Sequence, residues 1–247
     1  MSPLLANIAL SVLDEAFMAG WGDGEPMSTA MRRRRRRWKG LGNWRLVRYA
    51  DDFVVLCDTS RDQCAQAREI AAKVLEPMGL KLSEAKTLVT HMSDGFDFLG
   101  FHIRWRQKQG ADSWHVYTFP ARRAIRSVKQ KIRALTHKTS SQELGSVIVR
   151  INQITRGWAM YFRHGVSYRV FDQVRQYTWW RIVNWQKALH RWNWAQVRRW
   201  LTWPNGRWKP IRAGGVELFN PARIGIVRYR YRGNQIPRPY QPTPAPT

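Results

Sequence analysis

The chain has 247 residues, with 42 lysines and arginines against 17 aspartates and glutamates, giving a formal net charge of +25 and a pI of about 11.3. So basic a balance predicts a polyanionic partner, bound with a steep salt dependence, and does not by itself separate RNA from DNA. With 44% hydrophobic residues the chain can build one large core or two smaller ones, which excludes a disordered tail.

In chain order, Ser2 and Pro3 read as the cap and first turn of a helix whose buried face is Leu4, Leu5, Ile8, Val12 and Leu13. A Gly-, Met- and Arg-rich loop then runs from Phe17 to Gly42, and the six arginines Arg32 to Arg37 read as a solvated, unpaired segment that could order on phosphates. Next comes Arg48-Tyr49-Ala50-Asp51-Asp52-Phe53-Val54-Val55-Leu56, two adjacent carboxylates between short apolar runs, which reads as a hairpin with the acidic pair at its turn. Neighbours in a regular strand point to opposite faces, so both carboxylates converge only where the backbone turns. Two readings stand side by side: an ordinary solvated Asp-Asp turn, and a clamp for magnesium of the kind that serves phosphoryl transfer. Cys57 and Cys64 fall in no CxxC or Cys/His cluster and read as reduced structural thiols.

A second helix is predicted from about Arg61 to Glu76, stopped by Pro77 and Gly79. A strand follows around Phe98 to Ile103, then a turn at Gly110-Ala111-Asp112 and a strand from Trp114 to Phe119. This alternation makes the fold class α+β. Past Pro120 the apolar period lengthens to that of helices. Ile125, Val128, Ile132 and Leu135 form one stripe; Leu144, Val147, Ile151, Ile154, Trp158 and Tyr161 a second; and Val174, Ile182, Trp185 and Leu189 a third. The opposite face of the first helix carries Arg122, Arg123, Arg126 and Lys129. Nine of the fourteen tryptophans lie between Trp158 and Trp208. Most read as core, but Trp179-Trp180 and Trp192-Asn193-Trp194 cannot all face one way, and an exposed tryptophan beside arginines suits stacking on unpaired bases, with Trp180 and Trp194 as the candidates. The boundaries expected are 1–119 for the α+β part, 120–205 for the helical part, and 206–247 for a basic extension with a disordered end. No run is read as long and apolar enough to span a membrane, and no secretory leader is read, so a soluble, cytoplasmic protein is expected.

Five segments in this order resemble the C-terminal half of a group II intron reverse transcriptase and maturase. Ser2 to Ile8 is similar to the stretch after the family's Pro-Gln-Gly motif. Tyr49-Ala50-Asp51-Asp52 is similar to its polymerase signature, Leu82 to Thr87 to the palm's lysine motif, and Phe96 to Phe101 to the strand before the thumb. Gly157-Trp158-Ala159-Met160-Tyr161-Phe162 is similar to the signature of the maturase thumb. The resemblance implies a partial palm followed by an all-α basic thumb. It implies that Asp51 and Asp52 hold Mg2+, that Lys86 lies near the incoming nucleotide, and that the helical part grips intron RNA and the primer-template duplex. A solvated surface lysine is the alternative for Lys86.

The implied activity of the complete protein is RNA-directed DNA polymerisation on a primer 3′-OH, with group II intron RNA, a DNA primer or target and dNTP as partners. The alternative is a non-catalytic RNA-binding remnant that supports splicing. Two carboxylates on one hairpin are too few for a two-metal site, and neither Asp14 nor Asp58 is well placed to be the third. By the resemblance the chain begins after the family's fingers, its first catalytic aspartate and most of its nucleotide pocket, so it is expected to be N-terminally truncated, with a homodimer or a complementing N-terminal half as partner. No His/Cys nuclease cluster follows the thumb.

Overall fold

The computed structural model of the chain describes residues 3–137 and 142–227. They form two compact units that divide between Leu99 and Gly100. Helices and antiparallel hairpins are mixed along the chain, an α+β fold with its strands ahead of a helical region.

In the first unit, α1 (Pro3–Ala9) and α2 (Ser11–Met18) precede α3 (Ala30–Trp38). The hairpin β1 (Trp44–Tyr49) and β2 (Asp52–Cys57) follows, then α4 (Arg61–Leu75) and the short strand β3 (Phe96–Phe98). Trp44 and Leu46 from β1, and Phe53, Val55 and Cys57 from β2, pack with Leu13 and Phe17 of α2 and Ala67, Ala71 and Leu75 of α4. A two-stranded hairpin alone is marginal in water, and these two helices give its apolar face something to bury against. Helix α4 begins at Ser60, whose hydroxyl accepts from the Gln63 N–H, and its chain leaves through Gly79 at a φ of 69°.

Several expectations for this unit are corrected. The Arg32–Arg37 run is helical: the Thr29 side chain caps α3 by accepting from the Arg32 N–H, arginine is a good helix former, and the guanidinium groups of Arg32, Arg33, Arg34, Arg36 and Arg37 find partners. Arg32 donates to the carbonyls of Gly24 and Glu25, Arg33 to Met27, and Arg36 to Gly42, while Arg37 pairs with Asp58. Arg33 and Arg45 sit over the Trp21 ring, Arg34 over Trp38 and Arg36 over Trp44.

The apolar stripe of the first helix does not hold either. The helix breaks at Leu10, leaving Leu4, Leu5 and Ile8 exposed while Leu13 and Phe17 are buried. Ser2, expected as the cap, lies outside the described residues. Leu4–Trp21 is also, by length and composition, long and apolar enough to cross a membrane, with 17% of it buried. The strand predicted around Phe98–Ile103 is interrupted at Leu99 and Gly100, both at positive φ.

In the second unit, β4 (Phe101–Gln107) and β5 (Trp114–Pro120) form an antiparallel hairpin. Then come α5 (Arg122–Leu135), α6 (Leu144–Phe162), α7 (Tyr168–Leu189) and α8 (Trp194–Leu201). The core joins Val128 and Ile132 of α5 with Val147, Ile148 and Ile151 of α6, Val174, Ile182, Val183 and Trp185 of α7, and Val197 and Leu201 of α8. The α7–α8 junction is closed by a capping box at Asn193 and Gln196. Tyr161 and Leu189, expected at the ends of their stripes, are exposed.

The extension expected beyond residue 205 is folded through residue 227. Strands β6 (Arg212–Ala213) and β7 (Val216–Glu217) pair, Ile211 is 2% exposed within the helical core, and the Asn152 amide donates to the Glu217 carbonyl and accepts from the Phe219 N–H. Asn152 thus satisfies backbone groups of a segment 65 residues away. The end predicted to be disordered, 228–247, lies outside the described residues.

Candidate functional site

The acidic pair sits at a two-residue connection. Tyr49 is opposite Asp52 in the ladder, so Ala50 and Asp51 form the loop and Asp52 opens β2. Ala50 has a φ of +54°, a left-handed conformation that favours glycine at the first position of such a turn. An arginine holds it there. Arg48 shares the core-facing side of β1 with Trp44 and Leu46, and its Nη1 donates to the Ala50 carbonyl (3.1 Å) and to Asn7 Oδ1 (2.9 Å). Its Nε and Nη2 donate to Asp14 Oδ2 of α2 at 2.9 and 2.5 Å. The Arg48 and Asp14 side chains are 12% and 13% exposed. Sequence reasoning missed Arg48, since nothing in its spacing says which carboxylate it will find.

Asp51 and Asp52 are both exposed at the turn. Hard cations such as Mg2+ take oxygen ligands and are commonly held by one or two carboxylates together with waters and substrate phosphates, so the donor set fits one such ion. Among the described residues, no group of three or more His, Cys, Asp or Glu side chains could hold a metal. Asp14 is occupied by Arg48. Asp58 accepts from the Asn43 backbone and side chain and pairs with Arg37. Burial pushes the Asp58 carboxyl up, but the hydrogen bonds from Asn43, and then Arg37, outweigh it and hold the group below its ordinary value. Lys86 lies exposed in a turn in which its N–H donates to the Ser83 carbonyl. Cys57 and Cys64 come together, and burial first, then the neighbouring Cys64 thiol, pushes the Cys57 thiol up to about 12.

In the second unit, Arg122, Arg123 and Arg126 are exposed on α5, and Lys129 lies 5.2 Å from the centre of the Tyr177 ring. The first turn of α5 holds no acidic residue. Cations at a helix N-terminus oppose the helix dipole, so Arg122 and Arg123 cost stability where they stand. On α7, three residues beyond Tyr177, Trp180 starts a row of edge-to-face rings. It meets Trp179 at 5.0 Å and Trp194 at 5.8 Å, and Trp179 meets Trp208 at 5.8 Å. Trp180, Trp194 and Trp208 are 48%, 47% and 58% exposed, and the Lys187 ammonium lies 5.1 Å from the Trp194 ring. The structure therefore brings the two predicted tryptophans together and adds Trp208, which only the folded C-terminal segment delivers.

Residues 1–103 match the reverse transcriptase (RNA-dependent DNA polymerase) family, and residues 125–205 match the group II intron maturase-specific domain. The chain belongs to the group II intron reverse transcriptase and maturase family. The turn with Asp51 and Asp52 falls in the first matched segment, and Trp180 and Trp194 in the second. The chain is 32% identical over 139 residues to Protein YkfC of Escherichia coli (strain K12), covering 50% of this chain and 36% of that protein. It is 40% identical over 62 residues to the group II intron-encoded protein LtrA of Lactococcus lactis subsp. cremoris, covering 25% of this chain and 10% of LtrA. The match thus spans about a third or less of the length of these curated relatives.

Proposed function

We propose that this chain is an RNA-binding part of a group II intron reverse transcriptase and maturase, and that its helical unit grips intron RNA. The carrying observation is the exposed tryptophan row of α7 and α8 in the same unit as an α5 whose first-turn arginines have no acidic partner there. Phosphates would lie on Arg122, Arg123, Arg126 and Lys129, giving orientation and a salt-dependent affinity; unpaired bases would stack on Trp180 and Trp194.

In the complete protein, we propose that Asp51 and Asp52 hold Mg2+ beside a primer 3′-OH, with Lys86 near the incoming dNTP. The ion would supply electrostatic stabilisation of the transferring phosphoryl group. The Arg48 bridge keeps the turn that presents both carboxylates in place. Two carboxylates are fewer than a two-metal site needs, so the 247-residue chain by itself is expected to bind RNA without extending a primer. Extension is expected once a preceding half supplies a third carboxylate. In that mixture Asp51→Ala and Asp52→Ala each abolish incorporation and leave RNA affinity unchanged. Incorporation by the 247-residue chain alone that persists in Asp51→Ala would overturn this assignment.

The test of RNA binding is the salt dependence. Log affinity for a structured intron RNA should fall nearly linearly with log salt, and replacing Arg122, Arg123 and Arg126 with glutamate should flatten the slope by about 2 to 3 units. An unchanged slope would put the RNA on another face.

A further inference from the structure

We infer that the outward face of α3 is a second contact surface for the RNA phosphodiester backbone, in the unit that carries the acidic turn. The assignment rests on the RNA-binding role above and adds a surface to it.

The nine residues Ala30–Trp38 hold six consecutive arginines and no acidic residue. Residues one turn apart on a helix are neighbours, so Arg32 meets Arg35 and Arg36, and Arg34 meets Arg37, like charges that oppose the helix. Asp58, paired with Arg37, is the one carboxylate that reaches this run among the described residues.

The two sides of the helix differ. Arg33 and Arg36 are half-buried and anchor it: Arg33 donates to the Met27 carbonyl and lies over the Trp21 ring, and Arg36 donates to the Gly42 carbonyl and lies over Trp44. Met31, Arg34, Arg35 and Trp38 share the opposite side, at the spacing i, i+3, i+4 and i+7, and all four are exposed, Trp38 by 74%. Lys39, also exposed, follows at the end of the helix. Arg35 has no side-chain partner among the described residues. The Arg34 guanidinium lies 4.7 Å from the centre of the Trp38 ring and has no hydrogen-bond acceptor among them.

That face has the chemistry of a phosphate-binding surface. A guanidinium is a planar fork that matches phosphate, and Arg34 and Arg35 hold their forks in solvent on a helix fixed from its other side. A helix already formed loses little further chain entropy when the anion arrives, and phosphates beside the run relieve the repulsion along it. A membrane surface fits less well, because an interfacial helix immerses a separate apolar face. Here Met31 and Trp38 are interleaved with the arginines, and the far side is held by protein. An acidic peptide matches the charge alone, whereas RNA brings with each phosphate a base able to lie on the exposed Trp38 indole.

The experiment uses the full chain and a short fluorescent single-stranded RNA of mixed sequence, titrated at a series of salt concentrations. Arg34→Gln, Arg35→Gln and Lys39→Gln are combined in one variant; glutamine forms helix about as well as arginine or lysine, and circular dichroism checks the fold. A control of equal charge takes Arg61, Arg68 and Lys73, exposed on α4, to glutamine. The α3 variant should flatten the plot of log affinity against log salt by about 2 units, since each phosphate contact on a single strand counts about 0.7. The α4 control should keep the parent slope. Phenylglyoxal, an arginine-selective dicarbonyl, gives a readout that needs no variant: bound RNA should protect Arg34 and Arg35 and leave Arg61 and Arg68 reactive. A slope that the α3 variant leaves unchanged, equal flattening by the α4 control, or no protection of Arg34 and Arg35 would overturn the α3 assignment alone. So would an α3 variant that loses binding to phosphatidylglycerol vesicles, polyglutamate or a DNA strand of the same sequence while its RNA binding stays intact. Failure of the parent chain to bind RNA would overturn the assignment together with the RNA-binding reading.

Discussion

Arg48→Met should unlock the acidic turn while touching neither Asp51 nor Asp52. The substitution keeps the length of the aliphatic stem and removes every donor that Arg48 offers to Asp14, Asn7 and the Ala50 carbonyl. Asp14 is left at 13% exposure without its guanidinium. Removing one member of a buried ion pair costs about 3–5 kcal/mol, and the remaining exposure of both groups places this pair near the low end, about 3 kcal/mol.

The chain forms two compact units, so one melting midpoint would mix them. Hydrogen exchange resolved by peptide is the better assay. Amides of β1 and β2 should exchange roughly 100-fold faster, the factor that about 3 kcal/mol implies when exchange follows local opening, while those of α6 stay unchanged. Replacing both partners, Arg48→Met with Asp14→Leu, should recover much of the loss, because no buried charge is then orphaned. Acceleration of less than about fivefold, equivalent to under 1 kcal/mol, would refute the claim that this pair holds the turn. So would a double variant no better than Arg48→Met.

Ala50→Gly should slow exchange of the same hairpin amides by an amount equivalent to about 0.5–1 kcal/mol, because the backbone there has a positive φ; faster exchange would mean the turn is not strained. Trp180→Ala and Trp194→Ala should each weaken single-stranded RNA binding by about 1–3 kcal/mol without changing the salt slope, since stacking releases no counterions. A loss that instead tracks reduced helicity would assign those rings to the core. Cys57 should react with iodoacetamide about 50-fold more slowly in the folded chain than in urea: raising the thiol from 9.0 to about 12 removes thiolate faster than the extra nucleophilicity restores it. For the same reason, stability should fall as pH rises from 9 towards 12, where the unfolded thiol ionises and the folded one does not, and Cys57→Ala should abolish that component.

Much of this protein was legible from its residues. The alternating apolar runs around Asp51-Asp52 specify a hairpin because a period of two sorts side chains to two faces. Pro77 and Gly79 stop α4 through local backbone chemistry alone. The apolar stripes of α5, α6 and α7 are likewise a matter of helical spacing, and Val128, Ile132, Val147, Ile151, Val174 and Ile182 are buried where that spacing puts them.

What failed was whatever depended on a distant partner. Six consecutive arginines have no pattern of their own; they form a helix because Thr29 caps it and because carbonyls and tryptophan faces from Trp21 to Trp44 receive the guanidinium groups. Residues 206–227 read as a tail since their few apolar residues show no period, and only Asn152 and the core around Ile211 fix them in place. Composition and spacing determine which elements form, because those preferences act within a few residues along the chain. Which carboxylate meets Arg48 and which tryptophans meet one another are decided by packing between elements far apart in sequence, and that exists only in the tertiary structure.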